Sequence, residues 1–203
     1  MILAFDTSTA ACSAALFDSS GLCIAQSDEL IGRGHSEQLV PMLDDLLGGK
    51  RADRIIVGVG PGSFTGIRVA IAAAQGLAIA WNCELNGMSS LALLAAGADP
   101  EADTVAAVDG GHGELFVQQF DGHSLEPQTD LFNLPPSKAA ECVDADRVIG
   151  PGAKALVEAR GWGRTLDGWP SARNALRLPE DLRSLAPKPI YARAPDAKAR
   201  DAA

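Results

Sequence analysis

Aromatic residues make up only 5% of this 203-residue chain, and there is a single tyrosine. A core with so few large rings has to be closed by small residues, which implies close backbone packing. Basic residues are also short, with 17 Lys and Arg against 26 Asp and Glu, for a net charge of −9. An acidic surface repels a phosphate backbone, so the chain alone is expected to bind nucleic acid poorly. No cluster of Lys and Arg is present to hold an anionic membrane. The longest apolar run, Val69 to Trp81, is interrupted by Gln75 and is shorter than the roughly 20 residues of a bilayer span. MILAFDTST has no basic stretch and already reaches Asp6, so no signal peptide is expected. The four cysteines, Cys12, Cys23, Cys83 and Cys142, form no C-x-x-C pair. Reduced thiols and a cytoplasmic home are the expectation.

Catalytic signatures are missing too. His35, His112 and His123 form neither H-E-x-x-H nor H-x-x-x-H, so no metal site is expected. Each histidine reads as a surface or turn residue. No G-x-S-x-G elbow supports a serine hydrolase.

What is present is α/β patterning, 47% apolar overall. Strands are expected at Ile2 to Asp6, around Cys12 to Phe17 and around Leu22 to Ser27. HSEQLVPMLDDLLG then reads as an amphipathic helix with Ser36 as N-cap and Gly48 just past its end. RIIVGVG reads as a buried strand. Asp99-Pro100-Glu101 looks like a linker, which places one domain at 1–99 and a smaller one at 100–191, with 192–203 expected to be disordered. The chain also repeats itself in order. LAFDTSTAACSAALFD is echoed by AAVDGGHGELFVQQFD, and ADRIIVGVGPGS by ADRVIGPGA. Each half offers a hairpin, then a strand, Gly-Pro-Gly and a helix, which is the pattern of a duplicated α/β unit.

The densest motif is GVGPGSFTGIRVAIAAAQGLAIA, Gly58 to Ala80. A P-loop needs Lys after its last glycine, and here Ile67 and Arg68 follow Gly66. A dinucleotide fingerprint needs a third glycine where Thr65 stands. The loop therefore reads as a turn, with Ser63 or Thr65 capping the helix; weak anion contact through the helix amides is the alternative. From Ile67 to Ala80 the only clearly polar residues are Arg68 and Gln75. Gly66, Ala70, Ala74 and Ala78 recur every four residues, a stripe where a second backbone fits. Such a helix is either an internal core helix or half of a subunit interface.

Asp6 ends the first strand and is followed by hydroxyl residues in a hairpin turn. ATPases of the actin, hexokinase and Hsp70 class meet a metal-bound phosphate with such an Asp. Asp6, Thr7 and Ser8 are thus a possible degenerate phosphate site, with DGGHG, Asp109 to Gly113, as a second hairpin. A turn-stabilising carboxylate is the alternative reading for Asp6. The loop Gly58 to Gly66 lacks the general-base Asp of a sugar kinase.

Taken together, MILAFDTSTAACSAALFD, GRGHSEQLVPML, GVGPGSFTGIRVAIAAAQGLA, DGGHGELF and the late PIYAR resemble the bacterial TsaB (YeaZ) family over nearly the whole chain. The resemblance implies two actin-like ATPase (ASKHA, ribonuclease H-like) domains, the second reduced. It implies a non-catalytic partner and scaffold subunit of the tRNA threonylcarbamoyladenosine (t6A) machinery, with no catalytic residues and no cofactor of its own. A nucleotide at the junction with partner subunits is compatible with it. The implied partners are a catalytic TsaD-like subunit and a TsaE-like ATPase, with tRNA met only through the complex and a homodimer possible in their absence. The family's helix–helix interface maps onto Leu39, Leu43, Leu46, Ile67, Ala70, Ile71 and Ala74. The alternative function is a degenerate ATP-dependent kinase, or a glycoprotease-like peptidase, acting alone.

Overall fold

The first sheet forms around β1 (Ile2–Asp6), β2 (Ala11–Phe17) and β4 (Arg54–Gly58), which carry buried apolar residues on both faces, and is flanked by the more polar β3 (Cys23–Leu30) and β5 (Glu84–Met88). Its order is β3-β2-β1-β4-β5, with β1 antiparallel to β2 and parallel to β4. The chain is described by a computed structural model for residues 1–191; the tail expected to be disordered, 192–203, lies outside the described residues.

Successive side chains of a strand point to opposite faces, and this alternation sorts the core into layers. Leu3, Phe5, Ile55 and Val57 face one way, onto α1 (His35–Leu47) and α2 (Phe64–Trp81). Ala4, Ala15 and Ile56 face the other way, onto α3 (Ser90–Ala95), every residue of which is buried. Beyond α3 lies a second sheet of β6 (Thr104–Gly111), β7 (Glu114–Phe120), β8 (Phe132–Leu134), β9 (Arg147–Ile149) and β10 (Arg164–Leu166). Its order, β10-β9-β6-β7-β8, repeats that of the first sheet element for element. Its outer face is covered by α4 (Pro136–Ala139) and α5 (Ala153–Arg160).

The duplicated α/β unit is therefore real, and the second copy is reduced. β8 has 3 residues where β3 has 8, and α5 has 8 where α2 has 18. After β10 the chain returns to the first sheet. A 3₁₀ turn, Ala172–Arg177, packs on β1 and β2, Leu185 bridges to Gly87, and the Ile190 amide donates to the Val59 carbonyl at 2.8 Å. Residues placed in the second domain by sequence position thus complete the first.

Local details differ from the sequence expectation in two places. Ser36 is not the N-cap of α1: the cap lies two residues earlier, on Gly34 in the left-handed region at φ 90°, with no side-chain cap. His35, expected at the surface, is buried, its Nε2 3.3 Å from the Ala11 carbonyl. At the other helix Ser63 does cap α2, its Oγ accepting from the Gly66 amide at 3.2 Å. Ser63→Ala is expected to cost about 1 kcal/mol, readable as a lower urea midpoint at unchanged slope; an unchanged midpoint would mean that water replaces the cap.

Candidate functional site

The hairpin after β1 is the first candidate. Asp6 is buried and all its bonds are internal: Oδ1 accepts from the Ser8 amide at 2.8 Å and the Ser8 hydroxyl at 2.7 Å. Oδ2 accepts from the Ser90 hydroxyl at 2.5 Å, and Ser90 Oγ in turn accepts from the Gly60 amide at 3.1 Å. Thr7 Oγ1 donates to the Gly66 carbonyl at 2.7 Å. Burial pushes the Asp6 carboxyl above its usual range, and the hydrogen bonds from Ser90 and Ser8 pull it part of the way back.

The glycines of the opening loop explain this closure. A Cβ on Gly58 would sit 1.8 Å from Asp6 Oδ2, one on Gly62 2.2 Å from the Ser8 carbonyl oxygen, and one on Gly66 1.9 Å from that of Thr7. Three glycines let strand, loop and helix close directly over the hairpin. The loop is thus a turn and cap. Asp6, Thr7 and Ser8 do not form an open phosphate site: their side chains are turned into the fold and used there, which corrects that expectation. The second hairpin differs. Asp109 is exposed, its Oδ1 accepting from the Gly111 amide, and His112 at φ 56° with Gly113 at φ 79° makes the tight turn.

The buried Cys12 is not poised as a nucleophile. Burial, with Glu29 and Asp6 nearby, pushes the Cys12 thiol up to about 12, so it stays protonated and inert. Among the described residues no group of three His, Cys, Asp or Glu is arranged to hold a metal ion.

The second candidate is the outer surface of α1 and α2. Of the seven residues mapped as an interface, Leu39, Leu43, Ile67, Ala70, Ile71 and Ala74 are buried against the first sheet, and Leu46 is half-buried on the same core. That mapping is corrected: these side chains form the inner wall of the helices. The small-residue stripe admits a second backbone, and that backbone is the chain's own β1 hairpin and sheet. The exposed positions of α2 are Phe64 and Thr65 in its first turn and, further along, Ala72, Gln75, Gly76, Ile79 and Ala80. Ile79 is 82% exposed, and Val40 on α1 is 61% exposed. Between the helices runs a groove of about 430 Å³ lined by Val40, Ala73, Gly76, Leu77 and Trp81. By length and composition α2 is apolar enough to cross a membrane, with a mean hydropathy of 1.4, but its inner side is the core wall. The sequence signal for the outward face was present in Ile79 and Gly76. It was hidden because the inner face is just as apolar.

Comparison with known proteins adds to this geometry. The family model described as TsaD, tRNA N6-adenosine threonylcarbamoyltransferase, matches residues 27–131, just over half of the chain. A solved structure described as YeaZ from Pseudomonas aeruginosa is 31% identical, with a TM-score of 0.79, covering 94% of this chain and 99% of that one. The tRNA threonylcarbamoyladenosine biosynthesis protein TsaB of Escherichia coli is 37% identical over 59% of this chain, and that of Haemophilus influenzae 36% over 58%. The match spans about half the length of these curated relatives, 54% and 52%. The activator of 2-hydroxyisocaproyl-CoA dehydratase from Clostridium difficile, 9% identical at a TM-score of 0.50, shares the fold.

Proposed function

We propose a role that proceeds from one premise: this chain belongs to the TsaB (YeaZ) family. On that reading it is a non-catalytic, cytoplasmic subunit of t6A synthesis that binds a TsaD-like catalytic subunit, with a TsaE-like ATPase joining the pair. tRNA is met through the partners, in keeping with the net charge of −9. The carrying observation is the apolar outer face of α2, with Ile79 82% exposed and Gly76 leaving open space beside it; on α1 only Val40 and Pro41 add apolar surface, among exposed Glu37, Gln38, Asp44 and Asp45. A contiguous apolar helix face left in water supports a helix-on-helix interface. Without a TsaD-like protein, a second copy of the chain is expected to cover the same face. The closed Asp6 hairpin weighs against the solitary kinase, and the inert Cys12 against a thiol peptidase.

The test is Ile79→Glu. Its side chain is in solvent, so the melting temperature of the free protein is expected to stay within about 1 °C, since exposed substitutions cost little. Co-purification with the TsaD-like protein of the same organism is expected to fall more than about 100-fold, because a charge would be buried unpaired. Full retention of pairing would place the interface elsewhere.

A further inference from the structure

Between the two sheets lies a cavity of about 1000 Å³ onto which the turn of the first hairpin, Ser8 to Ala10, opens. Its volume is at the upper end of small-molecule sites, which run from about 300 to 1,000 Å³. One wall is the loop before α2; the other is the tip of the β6–β7 hairpin with Asp109. Its aromatic content is out of proportion to the chain. The sequence has one Tyr, three Trp and six Phe, and Tyr191, Trp169, Phe64 and Phe116 all line this space. Phe64 is 66% exposed and Tyr191 59%, so two of these rings leave much apolar surface in water.

Arg68 fixes those two rings in place. Its guanidinium carbon lies 3.1 Å from the centroid of the Phe64 ring and 5.4 Å from that of Tyr191. It donates to the Tyr191 hydroxyl at 2.5 Å and to the Phe64 carbonyl at 3.0 Å. Flat π surfaces held this way lose little freedom when another ring stacks on them. Thr9 and Ser63 on the same walls supply hydroxyls for a ring edge or a sugar.

We propose that this cavity binds a planar heteroaromatic molecule of nucleoside size, by stacking, without a metal ion or a phosphate chain. A polyphosphate is disfavoured by three features of the walls. Asp6 is sealed behind Ser8 and Ser90, so the first hairpin presents no carboxylate to a metal-bound phosphate. Asp109 is exposed on the opposite wall and repels anions. Arg68, the guanidinium on the walls, is already laid on the rings. An uncharged ring meets none of these obstacles and covers the open faces of Phe64 and Tyr191.

The probe is adenosine, titrated into the full chain by calorimetry and by tryptophan fluorescence. Saturable binding is expected, with Mg-ATP binding more weakly than adenosine. Phe64→Ala and Tyr191→Ala are each expected to weaken adenosine about tenfold, the loss of one stacking partner. Both side chains are exposed in the free protein, so thermal melting serves as the check that these variants fold. Ile79→Glu is expected to leave the titration unchanged, which separates this site from the partner surface. Three results would overturn the proposal: no saturable heat with adenosine up to its solubility limit, an affinity indifferent to both ring truncations in folded variants, or Mg-ATP binding more tightly than adenosine.

Discussion

Gly66→Ala is expected to cost about 3 kcal/mol of stability, the upper end of what overpacking does. The same substitution ten residues on, Gly76→Ala, is expected to raise stability by about 0.5–1 kcal/mol. Both glycines lie in α2, and alanine is the better helix former at either place. The difference is tertiary. A Cβ at Gly66 would stand 1.9 Å from the Thr7 carbonyl oxygen, and that oxygen is backbone, which no rotamer change can move. A Cβ at Gly76 meets nothing within 4 Å, so only the gain from restricting the unfolded chain remains. Urea unfolding of the two variants beside the parent decides it. If Gly66→Ala is as stable as the parent, the hairpin yields to the helix and the closed arrangement around Asp6 is not rigid.

Asp6→Ala is expected to lose about 2–4 kcal/mol, because the Ser8 amide, the Ser8 hydroxyl and the Ser90 hydroxyl would each lose a buried acceptor. Asp6→Asn keeps the shape and carries no charge, but its amide nitrogen donates where a carboxylate oxygen accepts, so the change of its relative stability with pH, and not the absolute value, reports on ionisation. Burial raises the Asp6 carboxyl above its ordinary 3.8 in the folded protein. The folded state therefore holds this proton more tightly than the unfolded chain does. The resulting stability is fully present below about pH 3.8, and it is lost as pH rises through the raised folded value. Asp6→Asn lacks that loss. Relative to the parent it is expected to be more favourable at pH 7 than at pH 4, measured by urea unfolding at each pH. Parallel curves for the two proteins would mean that Asp6 is no harder to ionise in the fold than in the open chain.

How legible the protein was depends on the element. The helix α1 could be read from its apolar stripe and Gly48, which does close it in the left-handed region at φ 54°. β5 could not. ELNGM has weak strand propensity, and it is a strand because β4 pairs with it and Gly87 lets the returning chain pass, with the Ala186 oxygen 2.8 Å from where a Cβ would be. The short β8 and β10 are illegible for the same reason, since three residues carry no period.

For the candidate sites the division is sharper. GPGSFTG was readable as a turn and cap, because the missing Lys and third glycine excluded the phosphate motifs on sequence alone. That Gly58, Gly62 and Gly66 press on Asp6, Ser8 and Thr7 was not readable, since the contacts join segments more than 50 residues apart. The apolar character of α2 was equally plain, yet a helix apolar all round has no period from which to choose its inner face. By itself the sequence determined the duplicated α/β plan, the acidic surface and the need to cover α2. It did so because composition, turn chemistry and alternation are local properties. Only the tertiary structure decided that Ala70 and Ala74 face the sheet while Ile79 faces water, and that Asp6 is sealed by Ser90. Those are choices among faces of comparable hydrophobicity, and they are settled by which backbone lies close enough to require a side chain no larger than alanine.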